Sequence, residues 1–154
     1  MNGPPRRISN ASNAGIGAQR LVGRHRVLFS PPDLMRLYLA GPLSLDEAKA
    51  IDTFCAVFAP NAMLIELGDG AVVETAVRKH WVETDTGLAV DRPTVVYGGT
   101  SSVRASMGLV LTAIEGAQEG VRRFPVIVTE SEKEALIELT ILRTKHARDS
   151  IVPP

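Results

Sequence analysis

A single cysteine, Cys55, in 154 residues leaves no intramolecular disulfide to staple the fold. The chain must rely on a packed core, and a reducing, cytoplasmic setting is the expectation. Aromatic residues are also scarce, at 5% of the chain, which excludes the stacked platforms that hold single-stranded nucleic acid. No apolar run approaches the roughly 20 residues of a membrane-spanning helix, the longest candidate being Met107 to Ile114. The N-terminal stretch lacks the apolar centre of a secretory signal. His25, His80 and His146 are far apart, without H-x-x-x-H or cysteine spacing, so no metal site is expected. G-x-G-x-x-G, a P-loop lysine and G-x-S-x-G are all missing. The common signatures of dinucleotide, nucleotide and nucleophile-elbow chemistry go with them, and no cofactor is expected.

Net charge is zero, but unevenly spread. Arg6, Arg7, Arg20, Arg24 and Arg26 give residues 1–26 a charge of +5 with no acid, leaving −5 on the remainder. A basic arm on an acidic body can meet nucleic acid or an anionic surface. Here its Gly, Asn and Pro content favours a flexible extension over residues 1–23. The rest, with 45% apolar residues overall and a mean hydropathy of +0.09, is enough for one domain with one core.

Within residues 24–145 the apolar pattern alternates between short β-branched runs and helical periods. HRVLFS and LMRLYLAG flank Pro31-Pro32-Asp33 and read as a hairpin. Gly41-Pro42 ends the second strand, and Ser44 with Glu47 forms an S-x-x-E capping box. The helix that follows places Ala48, Ile51, Cys55 and Phe58 on one face and stops at Pro60-Asn61. AMLIEL is the next strand, ending at Gly68-Asp69-Gly70, with a helix expected from Val73 to about Glu83. After a loop through Gly87 come TVVYGG, a helix from about Ser102 to Ala117, the strand FPVIVT, and a helix from about Glu132 to Thr144. Val103, Met107, Val110, Leu111 and Ile114 form the apolar stripe of the third helix. Ser131 and Glu134 make a second capping box. Residues 146–154 read as a polar tail. The expected fold class is α/β: a small mixed sheet with about four helices in the order β-β-α-β-α-β-α-β-α, its helices on one or both faces.

Those segments, AGPLSLDEA, LIELGDG with ETAVRKHW, TVVYGGTSSVRASMGLVLTAI and FPVIVTESEKEALIEL, together resemble the STAS superfamily, in its SpoIIAA-like branch, which also overlaps CRAL-TRIO-like domains in description. The resemblance implies a non-enzymatic regulatory or scaffold domain that binds a protein partner, as anti-sigma-factor antagonists do. In that family a hydroxyl residue at the start of the helix after the central strand is phosphorylated, and the added charge breaks the partner interface. The matching segment here is Asp69–Val77, whose one hydroxyl is Thr75. No Asp-Ser-Ser-Gly-like sequence surrounds it, and an ordinary first-turn role is the alternative.

The expected working surface is therefore Asp69, Glu74, Thr75 and Arg78, with a neighbouring anion-binding loop of Gly98, Gly99, Thr100, Ser101 and Ser102. That loop offers free backbone N–H groups at a helix start, while Ser101 or Ser102 as a plain N-cap is its simpler role. Two other function classes stay open. A carrier of a small apolar or lipid-like ligand would use the Val103–Ile114 stripe. An N-glycosidase is the enzymatic alternative, because LYLAGPLS and Gly70-Ala71-Val72-Val73-Glu74 are similar to motifs of nucleoside deoxyribosyltransferases, with Glu74 acting at the sugar carbon. Homo-oligomerisation is compatible with all of these.

Overall fold

The computed structural model describes residues 17–150. It is an α/β fold around a mixed six-stranded sheet. β1 (Gln19–Val22), β2 (His25–Ser30) and β3 (Leu34–Leu39) form an antiparallel meander, and β3 continues in parallel with β5 (Ala62–Leu67), β7 (Thr94–Gly98) and β8 (Val126–Thr129). A two-stranded parallel ladder, β4 (Pro42–Leu43) with β6 (Val72–Val73), lies apart from it. The helices are α1 (Leu45–Phe58), α2 (Thr75–Thr84), α3 (Ser101–Ala117) and α4 (Glu132–Ser150), with a 3-10 turn at Gly87–Ala89.

The strands cross the sheet in chain order, which explains where the helices lie. Successive right-handed crossovers advancing in one direction place every connecting helix on the same face. α1, α2 and α3 accordingly share one core with Met35, Leu37, Leu39, Met63, Ile65, Leu67 and Val96. α4 follows the last strand and connects nothing, so that rule does not bind it. It packs on the opposite face, with Ala135, Leu139 and Leu142 over Leu64, Val95 and Tyr97.

Local chemistry sets the helix ends. Ser44 Oγ accepts from the Glu47 N–H at 3.3 Å while Glu47 Oε1 accepts from the Ser44 N–H at 3.0 Å, the expected reciprocal box. The same carboxylate accepts from buried His25 Nε2 at 3.2 Å, and His25 Nδ1 accepts the Ala40 N–H at 3.1 Å. The ring is therefore the Nε2–H tautomer, tying β2, the end of β3 and the start of α1 together. Ser131 and Glu134 close the other expected box, at 3.2 Å in both directions.

Several expectations change. The flexible extension expected over 1–23 contains β1, whose four residues pair with β2; residues 1–16 lie outside the described residues. β4 and β6 were not expected, and they shift the start of α2 from Val73 to Thr75. The third helix is capped by Thr100, whose Oγ1 accepts the Val103 N–H at 3.2 Å, in place of Ser101 or Ser102. The expected tail from residue 146 is helical up to Ser150.

Candidate functional site

The carboxyl ends of the parallel strands open into three loops, two of which the backbone binds together. Gly41 N–H donates to Asp69 O at 3.0 Å, Val72 N–H to Gly41 O at 3.3 Å, and Glu74 N–H to Leu43 O at 3.3 Å. These bonds and the β4–β6 ladder lock the loop before α1 onto the loop before α2. Gly68 must lack a side chain, since a Cβ there would lie 2.8 Å from the Leu39 backbone carbonyl oxygen as well as against the Tyr38 ring. Gly98 (φ +92°) and Gly99 (φ +70°) adopt left-handed backbone conformations that residues with a Cβ rarely take, and this turn sets the third loop against Leu67.

Each residue expected at the surface can now be placed. Asp69, Glu74 and Thr75 are exposed, and Arg78 is half-buried. Glu74 is the N-cap residue of α2, but its side chain makes no capping hydrogen bond. Thr75 is the first helical residue. Arg78 lies one turn on and lines a groove of about 230 Å³ between β6, α2 and α3, shared with Val72, Val73, Val103, Ser106 and Leu109. Of the expected surface residues only Arg78 lines this groove; none of Gly98, Gly99, Thr100, Ser101 or Ser102 does, although Val103 directly follows them.

The loop itself is held from behind. Arg104 Nη1 donates to Gly98 O at 3.1 Å and to Gly99 O at 2.8 Å, so a guanidinium stands beside the start of α3. Ser101 and Ser102 are exposed. Neither caps the helix, a role Thr100 fills.

Two exposed apolar residues that line the groove were not singled out in the sequence. Val72 is 50% and Leu109 69% exposed, although both are large and aliphatic. Leu109 lies off the α3 stripe, and an apolar residue out of period on an amphipathic helix was the available signal. Val72 fell in the turn between the strand ending at Gly68-Asp69-Gly70 and the helix expected from Val73.

The other expected chemistries fare differently. Met107, Val110, Leu111 and Ile114 of the α3 stripe are buried in the core. An enclosed space between α1, α2 and the sheet measures about 10 Å³, room for about one water and far below a lipid chain. His80 Nε2 lies 3.4 Å from Asp52 Oδ2 and 3.3 Å from Thr86 Oγ1. A catalytic triad places acid and nucleophile on opposite ring nitrogens, and here both meet the same one. Cys55 is buried, and burial pushes its thiol up to about 12, which leaves it unreactive at neutral pH. Among the described residues no three His, Cys, Asp or Glu side chains gather as metal ligands, and no helix is long and apolar enough to cross a membrane.

Neither a scan against protein-family models nor a search of curated proteins finds a match to this chain.

Proposed function

We propose that this chain is a regulatory or scaffold domain of STAS type that acts by binding a protein partner, with the α2–α3 groove as its docking surface. The observation that carries this reading is the pair of exposed aliphatic residues, Val72 and Leu109, in a groove whose lining also includes Arg78 and Ser106. Apolar side chains left exposed together with polar neighbours are a common feature of protein–protein interfaces. Asp69, Glu74 and Thr75 lie on the chain around the same groove. Phosphorylation of Thr75, or a glutamate in its place, would therefore bring negative charge to the docking surface, the logic by which the resembled family releases partners.

The N-glycosidase alternative draws less support. A glutamate attacking a sugar carbon needs a pocket that excludes water, whereas Glu74 is an exposed N-cap residue.

The test compares partners retained by the wild-type chain with those retained by Leu109→Glu and by Thr75→Glu, each matched for melting temperature. The reading expects at least one stoichiometric partner whose affinity falls about tenfold or more in both variants, the cost of burying an unpaired charge. Native mass spectrometry of the complex gives its stoichiometry and separates a foreign partner from a second copy of the 16.5 kDa chain. Identical partner affinities in all three proteins would remove this surface from the account.

A further inference from the structure

A second concavity lies at the other end of the molecule, where the parallel strands begin. It is a cleft of about 350 Å³ between the last two turns of α1, the Asp85–Gly87 segment and the stretch leading into β7. Ala59, Pro60 and Val90 give it aliphatic walls, while Asp52, Asp85, Thr86 and Arg92 are its polar members, with Asp85 Oδ1 already accepting the Gln118 side-chain amide at 3.2 Å. Its size falls within the range of small-molecule sites.

Arg92 is the unusual member. Its Nη1 donates to Pro60 O at 3.0 Å, its Nε is buried without a hydrogen-bond partner, and no carboxylate among the described residues lies within ion-pair distance. Half-buried in this way, the guanidinium has lost part of its hydration without gaining a contact ion pair, an arrangement that folding alone disfavours. Asp52 does not supply the missing charge at contact range, since its Oδ2 accepts the Trp81 indole N–H at 3.2 Å and faces His80 at 3.4 Å.

We infer that this cleft binds a small aliphatic monocarboxylate, its carboxylate neutralising Arg92 and its hydrocarbon body lying along Ala59, Pro60 and Val90. Planar carboxylates match a guanidinium in charge and shape. One cation beside the carboxylates of Asp52 and Asp85 disfavours a second negative charge on the ligand, which selects against phosphate. Burial also lowers the Arg92 pKa from its ordinary value, with nearby Cys55 and Asp52 only partly offsetting the effect. An incoming anion would relieve that cost. The site is separate from the α2–α3 groove, so its failure would leave the docking proposal standing, and the reverse.

Trp81 is the one tryptophan of the chain, and its hydrogen bond to Asp52 makes it a reporter on the cleft wall. The experiment titrates the full chain with sodium hexanoate at constant ionic strength and follows Trp81 fluorescence, with hexanamide and inorganic phosphate as comparison titrants. The expected result is a saturating change with Kd of about 1 mM, at least about tenfold weaker for hexanamide and phosphate and for Arg92→Gln. Ala56→Leu, at an exposed α1 position that lines the cleft, fills it from outside and abolishes the response. This variant decides the matter if Arg92→Gln does not fold. Equal responses to hexanoate and hexanamide, saturation by phosphate at equal concentration, or wild-type binding by Ala56→Leu would each overturn the inference.

Discussion

On the face of the sheet covered by α1, α2 and α3, the inward residues of β3 and β5 are Met35, Leu37, Leu39, Met63, Ile65 and Leu67, all buried. Turned the other way, the same two strands present Leu34, Arg36, Tyr38, Ala62, Leu64 and Glu66. α4 covers this second face mainly over β5, β7 and β8, touching β3 through Leu34 and Arg36, and where its cover ends the side chains become polar. The sheet register sets Arg26, Tyr38, Glu66 and Tyr97 in one row across four strands. The Arg26 guanidinium lies 5.7 Å over the Tyr38 ring, and Tyr97 donates to Glu66 at 3.3 Å. Arg36 donates to Glu132 of α4 at 2.6 Å; burial depresses its pKa, but this bond and one with Tyr97 outweigh that and raise it. A single strand thus serves two environments, and the identity of each residue follows the cover above it. The difference locates stability mainly on the three-helix side.

The sharpest way to break this comparison is a pair of truncations on adjacent residues of β5. Ile65→Ala empties a fully enclosed position in the larger core and should cost about 4 kcal/mol. Leu64→Ala acts on the α4 side, where Leu64 borders a groove of about 260 Å³ into which neighbours and water can relax. It should cost about 2.5 kcal/mol. Urea unfolding with unchanged m-values measures both. Equal losses would mean that α4 completes a core as tight as that of the other helices.

The alternation behind this contrast was legible in LMRLYL, where period-2 polarity marks a strand with two unlike faces. AMLIEL hides it, because α4 keeps Ala62 and Leu64 apolar and only Glu66 betrays the second face. The two S-x-x-E boxes and the buried stripes of α1 and α3 could also be read, since both depend on spacing within one turn or a few. What escaped depends on contacts distant in sequence. Gln19–Val22 is a strand because β2 lies beside it, and β4 and β6 exist because two loops meet. Ser101 or Ser102 was the expected cap, whereas after the Gly98–Gly99 turn it is Thr100 that takes the role. At the candidate site the loop residues were visible as breaks after strands. The groove was not, since it arises only when α3 brings Leu109 next to Val72.

The next effect concerns the rim of the three-helix side, where Glu47 links His25 to the start of α1. Its carboxylate is held below the ordinary 4.5, chiefly by the Ser44 backbone N–H, with the Ser44 hydroxyl and His25 assisting against burial. A depressed acid contributes stability above its unfolded pKa and loses it as pH falls through the folded value. Glu47→Gln should therefore cost about 1–2 kcal/mol at neutral pH. The gap from wild type should close as the pH is lowered from about 5 towards 3. Thermal melts across that range check it, and a gap independent of pH would assign the loss to packing alone.

The smallest effect belongs to the open face, where Arg26 and Tyr38 face each other across β2 and β3. If this face is solvated surface beyond the reach of α4, their contact is worth only what an exposed cation–π pair gives, about 0.5 kcal/mol. A double-mutant cycle of Arg26→Ala with Tyr38→Leu isolates that coupling from the separate costs of each change. Arg26 is exposed and Tyr38 half-buried, so neither substitution leaves a cavity and both single losses should stay below about 1 kcal/mol. A coupling above about 2 kcal/mol would show that the polar row bears on stability as the opposite core does. In that case the polarity of Arg26, Arg36, Tyr38 and Glu66 would reflect a second structural network extending the α4 side across the whole sheet, and the division of labour between the faces would fail.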